Sequence, residues 1–276
     1  MEIPELDLKK SYAGVRVLLR SSLNVPVQKG VVTNAFRMKE SLQTIETLAS
    51  RGARVVVLAH IGQEPTNSLR PVYETLKSKT HVPIFFNEEV VGLRAEEATR
   101  ALKDGEVLIV ENVRRESGET SNDALFAEKL ARLGDLYVND AFSDSHRAHA
   151  SIVGVPTLLP HYAGPNFIKE LRGIEPAQNP QSPSLAIIGG AKFLTKEPLI
   201  ARLLETYDHV FIGGALANDF FKAKGFEVGK SHVSGTSHVS KYLENKKLML
   251  PTSMVVQNPN GREEKFPHEL TPLDSV

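Results

Sequence analysis

The amino-acid sequence predicts an α/β protein made of two doubly wound parallel-sheet domains of the Rossmann-like kind, the second of them incomplete. Three observations carry that prediction. Short, largely apolar runs alternate with longer amphipathic segments at the spacing of strand–helix units. Glycines stand just past several of the helical patterns, where a left-handed residue ends a helix at little cost. A stretch rich in proline and serine interrupts the alternation at 173–184, and the pattern restarts after it.

The strand-like runs of the first part are 15–20, 53–60, 82–86, 106–112 and 136–142. Between them the helical period predicts helices over 35–50, 69–78, 93–102 and 123–133, with Gly52, Gly105 and Gly134 as stops. Segment 173–184 (GIEPAQNPQSPS) carries Pro176, Pro180 and Pro183 and reads as an exposed linker that cannot continue a helix. The expected domains are therefore 1–172 and 185–276, with 173–184 as the hinge. In the second part a run at 185–188 ends in Gly189-Gly190, a helix spans 196–204, a run at 210–212 ends in Gly213-Gly214, and a helix spans 216–224. The run 254–257 reads as a third strand, and 258–276 is polar and without periodicity. Three short strands make a poor sheet, which is why this domain reads as unfinished.

Composition narrows the function. The 276 residues balance 33 basic against 33 acidic side chains, so no bulk positive field points to nucleic acid or a membrane surface. Cysteine is absent, which excludes disulfides and thiolate chemistry. The first ten residues lack the apolar stretch of a secretion signal, and no apolar run approaches the roughly 18 residues of a membrane span. A cytoplasmic, monomeric protein is the expectation.

In an open parallel sheet, ligands sit outside the carboxyl ends of the strands. Arg20 and Asn24, His60, Arg114, and His146 with Arg147 each follow one of the apolar runs. Arginine matches phosphate and carboxylate oxygens bidentately, so such an edge predicts a site for a small, highly charged anion. The densest segment is 138–151, VNDAFSDSHRAHAS, where Arg147 is the better candidate because a structurally satisfied histidine is commonplace. In the second part the two Gly-Gly pairs let backbone approach a ligand at a helix start. Lys192 and Lys196 lie four apart near a helix amino terminus, where cations are unwelcome and like charges cost roughly 0.2–0.5 kcal/mol. That spacing suits a polyphosphate, and it also suits two solvated lysines on an open face. The stretch Gly225 to Ser231 imitates a phosphate-binding loop, but one residue is missing between its glycines and it follows a helix, so Gly225 is read as a helix stop. No G-x-G-x-x-G follows the first run, which leaves a nicotinamide dinucleotide unsupported.

Taken together, LRSSLNVP (19–26), Arg37 in TNAFRM, AHIG (59–62), ENVR (111–114), VNDAF with HRAHAS, GGAK (189–192) with Lys196, and FIGGALANDFFKAKGFEVGKS resemble the phosphoglycerate kinase family, in family order and over nearly the whole chain. The resemblance implies a phosphotransferase of glycolysis that moves a phosphoryl group between 1,3-bisphosphoglycerate and ADP. It implies 3-phosphoglycerate on the amino-terminal half and an adenine nucleotide with Mg2+ on the other. Carried over by position, Ser22, Asn24, His60, Gly62, Gln63, Arg114 and Arg147 would line the acid site, with Arg37 beside the reacting carboxyl. Lys192 would accompany the transferring group, Lys196 would hold nucleotide phosphate, and Gly213 and Gly214 would border the adenosine.

The same comparison exposes departures. Ser22-Leu23 stands where the family has Asp-Phe, Gln63 where it has Arg, and Leu194-Thr195 where it has Ser-Asp. Arg115 is a candidate replacement for the charge lost at 63. The family's Gly-Gly-Gly-Asp-Thr segment, whose Asp serves the metal, is not among the 276 residues, so no metal ligand is assigned. A fragment with a complete acid-binding half is the expectation. A non-catalytic binding module or an inactive fragment are the alternatives.

Overall fold

Strand β1 (Arg16–Arg20) lies inside a six-stranded parallel sheet in the computed structural model, which describes residues 3–235, 237–272, 274 and 275. The chain then makes a small antiparallel ribbon of β2 (Val27–Gln28) and β3 (Val31–Val32), followed by α1 (Phe36–Ser50), β4 (Arg54–Leu58), α2 (Arg70–Lys77) and β5 (Ile84–Asn87). Next come α3 (Leu93–Ala101), β6 (Val107–Val110), α4 (Ser117–Thr120), α5 (Ala124–Ala131), β7 (Leu136–Asn139) and β8 (His161–Ala163). The sheet order is β5-β6-β4-β1-β7-β8, with every neighbouring pair parallel. Strands β4 to β6 build outward on one side of β1, and β7 and β8 on the other. The direction of winding therefore reverses at β1, the place where a ligand crevice is expected.

Alternation within the strands explains why the runs are apolar without a polar face. Val17, Leu19, Val55, Val57, Val107 and Ile109 join one buried cluster with Ile45 and Leu48 of α1 and Val72 and Leu76 of α2. Leu18, Val56, Leu58, Leu108 and Val110 join a second with Ala95 of α3 and Phe126 and Leu130 of α5. Both faces are thus covered, and burying one such aliphatic side chain is worth about 1.5–3 kcal/mol.

Helix α6 (Pro165–Gln178) continues past Gly173, at which one contact-defined unit ends and another begins with Ile174. Residues 173–178 are therefore helical where the sequence predicts linker. Pro176 lies near the carboxyl end, and the one bond it forfeits leaves only the carbonyl of Arg172, an exposed residue, to water.

The second unit holds β9 (Leu185–Gly189), α7 (Phe193–Thr206), β10 (His209–Gly213), α8 (Leu216–Ala223) and β11 (Leu248–Met249). These give a three-stranded parallel sheet of order β11-β10-β9. Ala186, Ile188, Val210 and Ile212 turn one face onto Phe193 and Ile200 of α7 and Phe220 of α8. On the other face Leu185 and Ile187 are exposed. The expected third strand at 254–257 is not part of this sheet. It forms β12 (Met254–Asn258), a hairpin with β13 (Gly261–Lys265), through a tight turn at Pro259-Asn260. The Asn-Pro-Asn-Gly turn signal there outweighs the resemblance of MVVQ to a buried strand, whereas the two residues of β11 are too few to stand out as a run.

Helix α8 ends as the sequence predicts, with Gly225 at φ +84°. The Gly225 N–H bonds the Lys222 carbonyl at 3.0 Å, the Phe226 N–H bonds the Phe221 carbonyl at 3.0 Å, and the two phenyl rings meet at 6.5 Å. This is the double-bonded left-handed stop with its apolar clasp, so the segment is a helix end and not a phosphate loop.

Candidate active site

Beneath the carboxyl edge of the six-stranded sheet lies a buried frame of paired charges. Arg20, 1% exposed, closes β1 and donates to Ser151 Oγ (3.0 Å), the Ser21 carbonyl (2.7 Å), His60 Nδ1 (3.1 Å) and Asp144 Oδ2 (3.3 Å). Its position at a strand end suggests a ligand contact, but Asp144 and Ser151 fold back over it and make it internal. A guanidinium only donates, so His60 Nδ1 is the acceptor and the imidazole is neutral with its proton on Nε2. Burial, and then the Arg20 charge, push the His60 pKa down to about 3; Arg114 and Arg147 add to this and Asp144 opposes it. Glu119, fully buried, accepts from the Ser151 N–H (2.9 Å) and hydroxyl (2.6 Å), and His149 Nδ1 lies 3.7 Å away.

Above this frame a hydrogen-bonded chain links four of the predicted residues. Asn112, buried after β6, accepts from the N–H groups of Ile61 (3.2 Å) and Arg114 (3.1 Å) and donates to the carbonyls of Ile61 (3.0 Å) and Asn67 (2.9 Å). With its amide satisfied, it pins the loop after β4 to the turn that carries Arg114. Arg114 Nη1 donates to the Gly62 carbonyl at 2.7 Å, the Gly62 N–H donates to Asn24 Oδ1 at 2.9 Å, and Arg37 Nη1 donates to the Asn24 carbonyl at 3.3 Å. Gly62 holds φ +66°, and a Cβ there would run into the side-chain amide of Asn67. Arg37 sits in the first turn of α1, which an Asn34 Oδ1 to Phe36 N–H bond (3.0 Å) opens, so its charge stands where the helix dipole does not favour it.

The predicted residues line three cavities, of which Asn24 and Gly62 share one of about 560 Å³ with Ile61 and Asn67. A second, of about 380 Å³, is lined by Gln63, Arg114, Arg115, Ser117, Arg147 and His149 among others. Burial, and then the neighbouring Arg147 charge, lower the Arg114 pKa. Arg147 Nε is buried without a hydrogen-bond partner, 3.9 Å from Asp144 Oδ1. The third cavity, of about 600 Å³, is lined by Ser22, Arg37, Ser143, Asp140, Asn166 and Lys169 among others. His60 reaches none of these linings and stays under the site, while His146 is exposed. Glu119, Asp144 and Ser151 carry no role in the sequence-based expectation: Glu119 stands in the short α4, and Asp144 and Ser151 lie among the many polar residues of 138–151.

In the second unit the two glycine pairs lie side by side: a Cβ on Gly189 would stand 3.5 Å from the Gly213 carbonyl oxygen, and one on Gly214 would stand 3.7 Å from the Gly190 nitrogen. The Lys196 side chain covers Gly190, and Lys192 caps α7 from an exposed position. Ser234 Oγ accepts from the Phe193 N–H (3.0 Å) and lies 3.1 Å from the Ala191 carbonyl and 3.0 Å from Asp219 Oδ2. Sequence reading missed that clamp on the loop before α7. Among the described residues no three His, Asp or Glu side chains gather to hold a metal ion.

A family model described as phosphoglycerate kinase matches residues 7–276. The chain belongs to the phosphoglycerate kinase family. The phosphoglycerate kinase of Methylorubrum populi is 47% identical over 232 residues, covering 82% of this chain and 58% of that protein. That of Bartonella quintana is 41% identical over 277 residues, covering 95% of this chain and 69% of that protein. The solved phosphoglycerate kinase of Coxiella burnetii superimposes with a TM-score of 0.79 at 32% identity, over 99% of this chain and 74% of its own. The chain thus spans well under the full length of these phosphoglycerate kinases, and less than two thirds of the first.

Proposed function

We propose that this chain binds 3-phosphoglycerate at the carboxyl edge of its six-stranded sheet and takes part in phosphoryl transfer between 1,3-bisphosphoglycerate and ADP. The observation that carries this reading is the cavity that Arg114, Arg115 and Arg147 line together. Guanidinium groups converging on one hollow suit a phosphate, whose oxygens accept charge-assisted hydrogen bonds from them. Arg114 and Arg147 hold the phosphate, Asn24 and the Gly62 loop hold the glycerate, and Arg37 meets the carboxyl end from the cavity it lines with Ser22. His60 then supports Arg20 and the frame below.

The chemistry asks for little more. The attacking carboxylate is already ionised at neutral pH, so no general base is needed, and catalysis reduces to positioning and charge stabilisation of a loose transition state. In the first unit Arg37 lies beside the reacting carboxyl, and in the second Lys192, at the start of α7, accompanies the transferring phosphoryl group of the nucleotide. Gly213 and Gly214 border the adenine nucleotide and Lys196 meets its phosphates. Mg2+, when bound, neutralises nucleotide phosphate charge. Among the described residues no cluster of carboxylates or histidines would hold it, and no step is assigned to it.

Turnover above a blank in a coupled ATP-consumption assay with 3-phosphoglycerate is the expected result, with Arg37→Ala lowering kcat about a hundredfold. A second reading, a binding module without transfer, draws on Leu194-Thr195 beside Lys192 and on the bare sheet face in the second unit. Calorimetric binding of 3-phosphoglycerate with no turnover would favour it.

A further inference from the structure

We propose that Arg115 supplies the guanidinium that position 63 lacks, leaving its tether on Glu111 to close on the phosphate of a bound ligand. This rests on the phosphate-site reading above and concerns the same cavity. Gln63 and Arg115 both line it, together with Arg114, Arg147 and His149. Gln63 brings a neutral amide, whereas Arg115 adds a third guanidinium to the wall beside Arg114 and Arg147.

Arg115 is placed and held in a way that suits movement. Its side chain is 42% exposed and Nη1 donates to Glu111 Oε2 at 2.9 Å. Glu111 is buried, yet it keeps three other donors: Ser68 Oγ at 2.6 Å, the Leu69 N–H at 2.7 Å and the Asn112 N–H at 2.7 Å. After Arg115 departs, the Glu111 carboxylate keeps three neutral hydrogen bonds but loses its cationic partner. Arg20, by contrast, is locked by four partners within the frame. Arg115 also follows Arg114 directly on the short turn that opens at Asn112, so the turn that delivers one guanidinium to the cavity delivers both. The bond to Glu111 holds the side chain beside the cavity before ligand arrives, which lowers the ordering cost of the new contact.

Isothermal calorimetry of the full chain with 3-phosphoglycerate tests this. Arg115→Ala and Arg115→Gln are each expected to raise Kd roughly tenfold to a hundredfold, the loss of one charge-assisted hydrogen bond to phosphate. Gln63→Arg in the Arg115→Ala background is expected to restore Kd to within a few-fold of the parent. A purely structural role for Arg115 at Glu111 would not be rescued from position 63. Unchanged affinity in Arg115→Ala, with Arg114→Ala weakened, overturns the role of Arg115 and leaves the phosphate site standing. Weakening in Arg115→Ala that Gln63→Arg does not repair also overturns it. No binding by the parent chain overturns both.

Discussion

His60 is an imidazole held neutral by its surroundings, and that has a thermodynamic signature. Its pKa is pushed down to about 3 in the fold by burial and by Arg20, against an ordinary value of 6.5. Between those values the unfolded chain takes up a proton that the folded chain refuses, so stability falls as pH drops through that window and is insensitive to this group above it. Urea melts at pH 7 and pH 5 should show the parent losing about 2 kcal/mol more than His60→Gln over that interval. Equal slopes would mean that the imidazole is protonated in place. Asn24, Gly62, Arg114 and Arg147 were legible in the sequence because each sits in a recognisable segment beside an apolar run. Glu119 and Ser151 were not, since a lone carboxylate in the short α4 and one serine among the many polar residues of 138–151 have no period or spacing that singles them out. Arg20 follows an apolar run as the others do, but position along a strand says nothing about which turns fold back over its end.

At the scale of elements, β9 shows what a run of apolar letters hides. Leu185 to Ile188 reads as a strand buried on both sides, yet Ile188 is 7% exposed and Ile187 73% exposed. Alternation sends the two isoleucines to opposite faces, and α7 and α8 cover only one of them. Ile188→Ala should therefore cost about 2–4 kcal/mol, and Ile187→Ala less than about 0.5 kcal/mol, in equilibrium denaturation. Similar losses for both would mean that something covers the second face in solution. Five of the six strands of the first sheet were readable from the sequence because helices shield both faces and their central positions are apolar, whereas β8, three residues at the sheet edge, was not. In the second unit the same logic failed twice: β11 is too short to be noticed, and β12 pairs locally through a turn whose Asn-Pro-Asn-Gly letters carried more information than the valines before it.

For the whole molecule, the two units have separate cores, one built around a sheet shielded on both sides and one around a sheet shielded on one. Calorimetry should resolve two transitions, the lower belonging to the residues after Gly173, because a sheet with a bare apolar face buries less for each residue ordered. On the proposed reading, 3-phosphoglycerate at a hundred times its Kd adds about 2.7 kcal/mol to the first unit and should move the upper transition alone. A single transition that shifts as one would show the units to be thermodynamically fused. The proline-serine stretch hinted at the division, but helix propensity carried α6 across it, since one proline in a solvent-facing last turn removes too little to stop a helix. Gly62, finally, limits how this edge of the protein can diversify. Its N–H orders Asn24, its carbonyl orders Arg114, and Asn67 fills the space a methyl group would need. Natural drift or design that retunes the cavity has to act through replaceable neighbours such as residues 63 and 115, trading charge between them while the scaffold stays put.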